Sequence, residues 1–183
     1  MRAEIKNLKA ALESADLKMA SELIEKAESQ LQNYPILIAL EGVYYAQRGF
    51  FEEALSALAI ASQALPRDPG IYYNMAIILR TTGRLVAAEE AIHKALRFSP
   101  LSPLVLFELA QIQTAKGSHG EAIMTLLKCI QNANLFFPAY IALTQYLLLD
   151  NQPKLAVKLY ETAVEGAPSE QFFKDRLQEL KGL

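Results

Sequence analysis

The chain has 183 residues, of which 52% are hydrophobic and 21% charged, and its 18 basic and 20 acidic residues give a formal net charge of -2. This composition excludes an intrinsically disordered chain, and it excludes binding to nucleic acid through an excess of positive charge. The single cysteine, Cys129, excludes an internal disulfide and a thiolate metal cage.

The N-terminal segment, residues 1–15, has charged residues where a signal peptide would need an apolar core. No later stretch of the sequence approaches the length of apolar residues that a bilayer requires. We therefore expect an unprocessed cytoplasmic protein without direct membrane insertion.

The sequence repeats itself with a period of 34 residues, and we predict repeats over residues 1–34, 35–68, 69–102, 103–136 and 137–170. The twentieth residue of every repeat is alanine, and the fifteenth is small or favours a turn. These two columns are Ala20, Ala54, Ala88, Ala122 and Ala156, and Ala15, Gly49, Gly83, Gly117 and Asn151.

Each repeat has the apolar spacing of two helices, which we call helix A and helix B. A tight turn is predicted between them at the fifteenth and sixteenth residues, because glycine and asparagine tolerate a positive φ. The side chains predicted to cap helix starts are those of Asp68, Ser102, Ser118 and Gln152. Residues 171–183 fit no sixth repeat and predict an amphipathic capping helix that opens at Ser169.

The alanine column has a mechanical explanation. Two helices joined by so short a turn lie antiparallel, and a methyl group at their crossing lets the backbones approach closely. The residues predicted to pack on these methyl groups are large, and in the twenty-fourth column they are Leu58, Ile92, Leu126 and Tyr160. We therefore predict an all-α fold, with residues 1–183 forming a single array of helix pairs.

This pattern resembles that of tetratricopeptide repeat proteins, which have 34-residue helix pairs with signature aromatic, leucine, glycine, alanine and proline positions. The third repeat is the clearest match, with Tyr72, Met75, Ala76, Leu79, Gly83, Ala88, Ile92, Ala95 and Pro100. The resemblance implies a right-handed α-solenoid of antiparallel helix pairs. It also implies that the A helices line a concave groove in which a protein or peptide partner binds.

In tetratricopeptide repeat proteins the groove residues lie at the second, fifth, ninth and twelfth positions of helix A. By this resemblance, and with Asn74 added, the predicted partner-binding residues are Ile36, Ala39, Val43, Tyr73, Asn74, Ile77, Arg80, Leu104, Phe107, Gln111, Ile141 and Gln145. Gln47 and Thr114 add polar points. For Tyr73, Ile77, Phe107 and Ile141, packing between neighbouring A helices is an equally open interpretation.

The apolar character of this groove favours an amphipathic helix or an extended apolar segment as the ligand. The family's carboxylate clamp for acidic chaperone tails is disfavoured, because only Asn74 and Lys9 resemble it and Glu108 would repel such a ligand. Three alternatives stay open: a chaperone for a secreted bacterial protein, a subunit of a larger assembly, and a self-assembling scaffold, since an exposed apolar groove also favours homo-oligomers.

We predict no enzymatic activity, no metal and no cofactor. The two histidines, His93 and His119, are predicted to be solvated surface residues without an orienting partner. Cys129 occupies a column that is otherwise alanine, which indicates a buried small side chain rather than a nucleophile. The sequence contains no phosphate-binding glycine loop and no hydrolase or metalloprotease motif.

Overall fold

A computed structural model describes residues 2–28 and 34–182, and within these residues the chain forms eleven α-helices and no strand. Residues 29–33, near the end of the predicted first repeat, lie outside the described residues, as do Met1 and Leu183. The chain divides into two compact units, residues 1–99 and 100–183. The single array over residues 1–183 stays a prediction.

Unit 1 contains three helix pairs. The first pair is α1 (Arg2–Glu13) and α2 (Leu17–Glu28), the second is α3 (Pro35–Gln47) and α4 (Phe51–Ala64), and the third is α5 (Pro69–Thr81) and α6 (Leu85–Phe98). Helices A and B of each pair pack against each other, and α3 also packs against both α1 and α5.

Unit 2 contains two further pairs and a final helix. These are α7 (Pro103–Ala115) with α8 (His119–Asn132), α9 (Phe137–Leu149) with α10 (Pro153–Gly166), and α11 (Gln171–Lys181). The predicted capping helix is therefore present. Its Phe173 is buried against Tyr140 and Tyr160, and its Lys181 Nζ lies 2.8 Å from Glu161 Oε1 of α10.

The turn between helices A and B is the same in all five repeats. The fifteenth residue has a positive φ, between 55° and 81°. The backbone N–H of the residue that follows donates to the carbonyl five residues earlier, at 2.7–2.9 Å, which satisfies a helix C-terminal carbonyl. The donors are Asp16, Phe50, Arg84, Ser118 and Gln152. The predicted turn is therefore confirmed, together with the helix bounds that it fixes.

The crossing of helices A and B is as close as the alanine column predicts. All five alanines of that column are buried at 0% exposure, and the large residues of the twenty-fourth column are buried at 0–7%. In the second repeat the backbones come closer still. A Cβ at Gly42 would lie 2.8 Å from Leu58 Cγ and 3.1 Å from the carbonyl oxygen of Ala54. Gly42 therefore fits where a methyl group does not.

Most of the predicted capping side chains do not cap. Asp68 accepts a hydrogen bond from the Gly70 N–H at 2.8 Å, as predicted. Ser118 and Gln152 precede their helices, with ψ angles of 60° and 55°, but make no side-chain capping bond. Asp16, at the same position of the turn in the first repeat, does cap its helix, because its carboxylate accepts from the Met19 N–H at 3.0 Å. Ser102 has an extended backbone and makes no capping bond either. The residue before α11 is Glu170 rather than the predicted Ser169.

Ala15 is a non-glycine residue in the left-handed region, with φ of 56°. We expect Ala15→Gly to stabilise the chain by about 1 kcal/mol, because the strain on the Cβ is removed. Urea unfolding followed by circular dichroism measures the change. The control is Ala10→Gly at an exposed position inside α1, where glycine should destabilise by about 1 kcal/mol. Equal losses in both variants would contradict the strain argument.

Gly42→Ala should destabilise the chain by about 1–3 kcal/mol, because the added methyl group overlaps Leu58 and the Ala54 carbonyl. Gly120→Ala is the matched change, since Gly120 lies in the first turn of α8 with no atom within 4 Å of a Cβ. It should leave stability unchanged or raise it by up to about 1 kcal/mol. The same unfolding measurement compares the two, and a harmless Gly42→Ala would refute the close crossing.

Candidate functional site

The predicted binding residues of unit 1 lie on α3 and α5, two helices that pack directly against each other. We call them the α3–α5 stripe. Ile36 is exposed, at 38%, and the other members are half-buried. Ala39 and Val43 also pack against core clusters of the unit, so that only part of each side chain faces solvent. The members of the stripe are Ile36, Ala39, Val43, Tyr73, Asn74, Ile77 and Arg80.

The predicted binding residues of unit 2 lie on α7 and α9, which both pack against α8. We call them the α7–α9 stripe. Leu104 is 52% exposed, Gln145 is exposed, and Phe107, Gln111 and Ile141 are half-buried. The ring of Phe107 meets the ring of Phe136 edge to face at 5.6 Å, which fixes its orientation.

The capping helix borders one end of the α7–α9 stripe. A cavity of about 330 Å³ lies between α9 and α11, and its lining includes Ile141, Gln145, Arg176 and Glu179. Arg176 Nη1 lies 2.6 Å from Glu179 Oε2, so the two charges on this wall are paired. At the fifth repeat, the apolar side chains of the stripe therefore lie next to an ion pair of the capping helix.

Two polar side chains that were predicted to lie beside the binding residues make hydrogen bonds within the chain instead. Gln47 Nε2 donates to the carbonyl oxygen of Leu12 at 2.8 Å, which ties α3 to the end of α1. Thr114 donates to the carbonyl of Ala110 and also hydrogen bonds with the Tyr146 hydroxyl. Glu108, expected to repel an acidic ligand, is buried at 5% exposure, because its helix position faces the interior. Its carboxylate is therefore not offered to a ligand.

The titratable side chains do not converge on a reactive centre. His93 and His119 are exposed, and within residues 2–28 and 34–182 no three His, Cys, Asp or Glu residues are placed to hold a metal ion. Cys129 is fully buried, its Sγ lies 3.4 Å from the carbonyl oxygen of Pro103, and burial raises the pKa of its thiol to about 11. Such a thiol remains protonated at neutral pH, which suits a packing role.

A larger cavity lies on a face of α9 that the sequence reasoning did not select. It has a volume of about 700 Å³ and is lined by α8, α9 and α10. Burial raises the pKa of Tyr140, whose ring lies at its floor. A signal for this cavity was present in the sequence, because repeat five has Gly166 at the position where repeat three has Phe98.

Comparisons with known proteins agree with this architecture. Residues 40–103 match the family model for the tetratricopeptide repeat. TTC0263, a thermophilic tetratricopeptide repeat protein of Thermus thermophilus, superposes with a TM-score of 0.75 at 18% identity, over 100% of this chain and 99% of its own. YrrB, described as a tetratricopeptide repeat protein with an unusual peptide-binding site, superposes with a TM-score of 0.64 at 14% identity, over 98% and 91%.

The human Superkiller complex protein 3 is 24% identical over 85% of this chain. The chain spans only about a tenth of the length of that relative, since the match covers 10% of it. Residues 40–103 therefore match a tetratricopeptide repeat, and the shared fold confirms the predicted fold class. Solenoids of stacked helix pairs present extended binding surfaces. Among the described helices none has the length and apolarity to cross a bilayer.

The buried Cys129 predicts slow alkylation and a specific pH dependence. Iodoacetamide at pH 8 should modify the folded chain at least about a hundredfold more slowly than the urea-unfolded chain, because the thiol is inaccessible and protonated. Above pH 9 the unfolded thiol ionises while the folded thiol keeps its proton up to about pH 11. Stability should therefore fall over this range, by up to about 2 kcal/mol.

Cys129→Ala is the control, because alanine occupies the same column in the other repeats and has no proton to lose. Thermal melts at pH 8 and pH 10.5 should show a larger loss for the wild-type chain than for this variant. Equal losses would mean that the thiol ionises as readily in the folded chain as in the unfolded one.

Proposed function

We propose that this protein is a non-catalytic interaction module that binds apolar or amphipathic segments of a partner protein, on the α3–α5 stripe of unit 1 and on the α7–α9 stripe of unit 2. The observation that carries the proposal is the accessibility of these residues. None of the twelve is buried, although eight of them are apolar, and Ile36 and Leu104 are exposed at 38% and 52%. Apolar side chains that stay open to solvent on neighbouring helices favour association.

The composition of the α3–α5 stripe supports a ligand that is mainly apolar. Ile36, Val43 and Ile77 offer aliphatic surface, while Asn74 and Arg80 offer hydrogen bonds that orient a backbone or a polar side chain. Two stretches of helix face, one on α3 and one on α5, give the ligand a surface about two turns long. YrrB, whose description includes a peptide-binding site, supports the capacity of this fold for such ligands.

The environment of the most reactive side chain types, cysteine and histidine, supports the non-catalytic part of the proposal. The Cys129 thiol is buried with a raised pKa, and the two exposed histidines lie on helices α6 and α8 outside both stripes. A general base needs an orienting partner and a cleft. A chaperone for a secreted protein and a self-assembling scaffold are narrower versions of the same binding function, and no observation here favours either.

The test uses two isoleucines of one helix pair. Ile36 on α3 belongs to the stripe, and Ile60 on α4 is 53% exposed and does not. A phage-displayed library of random peptides is selected on the wild-type chain, and the enriched peptides are measured by fluorescence anisotropy. Ile36→Lys should weaken binding about tenfold or more, because a charge replaces an apolar contact, and Ile60→Lys should leave it within about twofold.

Ile77→Lys separates the two open interpretations of the half-buried positions. If Ile77 contacts the ligand, the variant melts near the wild-type temperature and loses binding. If it unfolds, Ile77 belongs to the core and is removed from the stripe. The proposal fails if Ile36→Lys and Ile60→Lys have equal effects, or if selection on the wild-type chain enriches no peptide.

A further inference from the structure

The cavity of about 700 Å³ in unit 2 is an apolar groove with two helical walls and a helical floor. We call it the α8–α10 groove. Leu127 and Leu155 on opposite walls are 36% and 49% exposed, so that its walls present apolar surface to solvent. The main apolar residues of the walls are Ile123, Leu127 and Ile130 on α8 and Leu155, Leu159 and Ala163 on α10.

The groove results from side-chain differences between repeats. At the corresponding place in unit 1, Phe98 stacks on Tyr72 with ring centroids 6.3 Å apart. Repeat five has Gly166 where repeat three has Phe98, and a Cβ at Gly166 would meet no atom within 4 Å. The other repeats also lack a ring at this position, with Gln30, Ala64 and Asn132, so Phe98 is the exception in this column. The space that its ring occupies in repeat three is open beside Gly166.

The walls of the groove are also more apolar than their counterparts. Leu127, Leu155 and Leu159 of unit 2 correspond, two repeats earlier, to three alanines, which are Ala59, Ala87 and Ala91. A leucine presents more apolar surface than an alanine, and covering that surface is favourable. Two of these three leucines are exposed on facing walls of one groove, so together they offer an apolar surface that a ligand can cover.

The spacing of the wall residues fits a helix. On α8 the apolar residues recur at i, i+4 and i+7, and on α10 they recur at i, i+4 and i+8. These are the rows by which one helix packs against another. The lining extends from Leu155 to Gly166, which corresponds to about three turns of a ligand helix. The small Ala163 and Gly166 allow a backbone to approach closely at one end.

The electrostatics of the groove set the direction of that helix. Both α8 and α10 run antiparallel to α9, so their C-termini lie at the same end, and neither has a basic residue in its last turn. This end therefore carries the partial negative charge of two helix C-termini, which the N-terminus of α9 offsets only in part. The positive N-terminus of a ligand helix is stabilised there, and Lys158 on the rim supplies a cation for an acidic residue of the ligand.

We propose that the α8–α10 groove is a second docking site, whose ligand is an amphipathic helix of a partner protein, leucine-rich on one face and antiparallel to α8 and α10. This site is separate from the α7–α9 stripe of the same unit. It lies on the face of α9 that carries Tyr140, Leu143 and Leu147, whereas the stripe uses Ile141 and Gln145. A partner could therefore occupy the groove without displacing a ligand from that stripe.

Gly166→Phe is the main test, because it restores the ring that repeat three has at this position and fills space where a Cβ meets nothing. The probe is a fluorescein-labelled helical peptide of about four turns with leucine at i, i+4, i+7 and i+11. The wild-type chain should bind it saturably in an anisotropy titration. Gly166→Phe should weaken binding at least about tenfold while its melting temperature stays at or above that of the wild type.

Lys154→Phe is the matched control, because it adds the same ring to an exposed position of α10 that does not line the groove. It should bind the peptide within about twofold of the wild type. If Gly166→Phe does not fold, Leu155→Lys at the exposed rim replaces it, with the same expected loss of binding.

Four results overturn the proposal. The peptide does not bind, or a peptide with serine in place of the leucines binds equally well, or Gly166→Phe binds as the wild type does. The fourth is a different occupant. Sedimentation velocity that shows a dimer of the wild-type chain but a monomer of Gly166→Phe would assign the groove to a second copy, and Gly166-dependent binding of dodecanoate without the peptide would assign it to an acyl chain.

Discussion

The close crossing of helix A and helix B is the constraint on which the rest of this structure depends. It needs a methyl group or less at the contact, and the five buried alanines of the twentieth column provide it. It also needs a sharp reversal of the chain, which the positive φ of the fifteenth residue and one backbone hydrogen bond provide in every repeat. Because these requirements concern distance and backbone angle, they permit few residue types and leave a visible period in the sequence.

The few residue types that the crossing and the turn permit explain which parts of the structure could be predicted from the sequence. The helix bounds follow from the turn, and the turn depends on residue types that the period makes visible, even where Ala15 and Asn151 replace glycine at some cost in strain. The capping side chains could not be predicted in the same way. Asp16, Ser118 and Gln152 all follow the positive-φ residue of this turn, yet of these three it is Asp16 that accepts a capping bond, from the Met19 N–H at 3.0 Å. Neither the residue type nor the turn therefore decides by itself whether a side chain caps its helix.

The candidate sites were predictable to different degrees. The α3–α5 stripe was found because it repeats, and a position that recurs on successive A helices forms a continuous surface. The roles of the polar side chains on the A helices were harder to predict, since Glu108 on α7 is buried and Gln47 on α3 donates to the Leu12 carbonyl. The α8–α10 groove could not be predicted, because it arises at positions whose residues vary from repeat to repeat. A cavity depends on what several neighbouring side chains leave unfilled, and no single column of the sequence records that.

Repetition and departure from it therefore carry different information in this chain. Residues that recur in every repeat hold the backbone, and exchanging them affects stability. Residues that differ between repeats at equivalent positions lie on the same backbone. Such differences change the surface that a repeat presents to a ligand. Phe98 and Gly166 illustrate this. One fills its site by stacking on Tyr72, while the other leaves open space beside leucines that remain exposed. The thirtieth column varies from repeat to repeat, as Gln30, Ala64, Phe98, Asn132 and Gly166, so the fold sets no requirement there. The open space beside Gly166 can therefore be used for ligand binding at no cost to the fold.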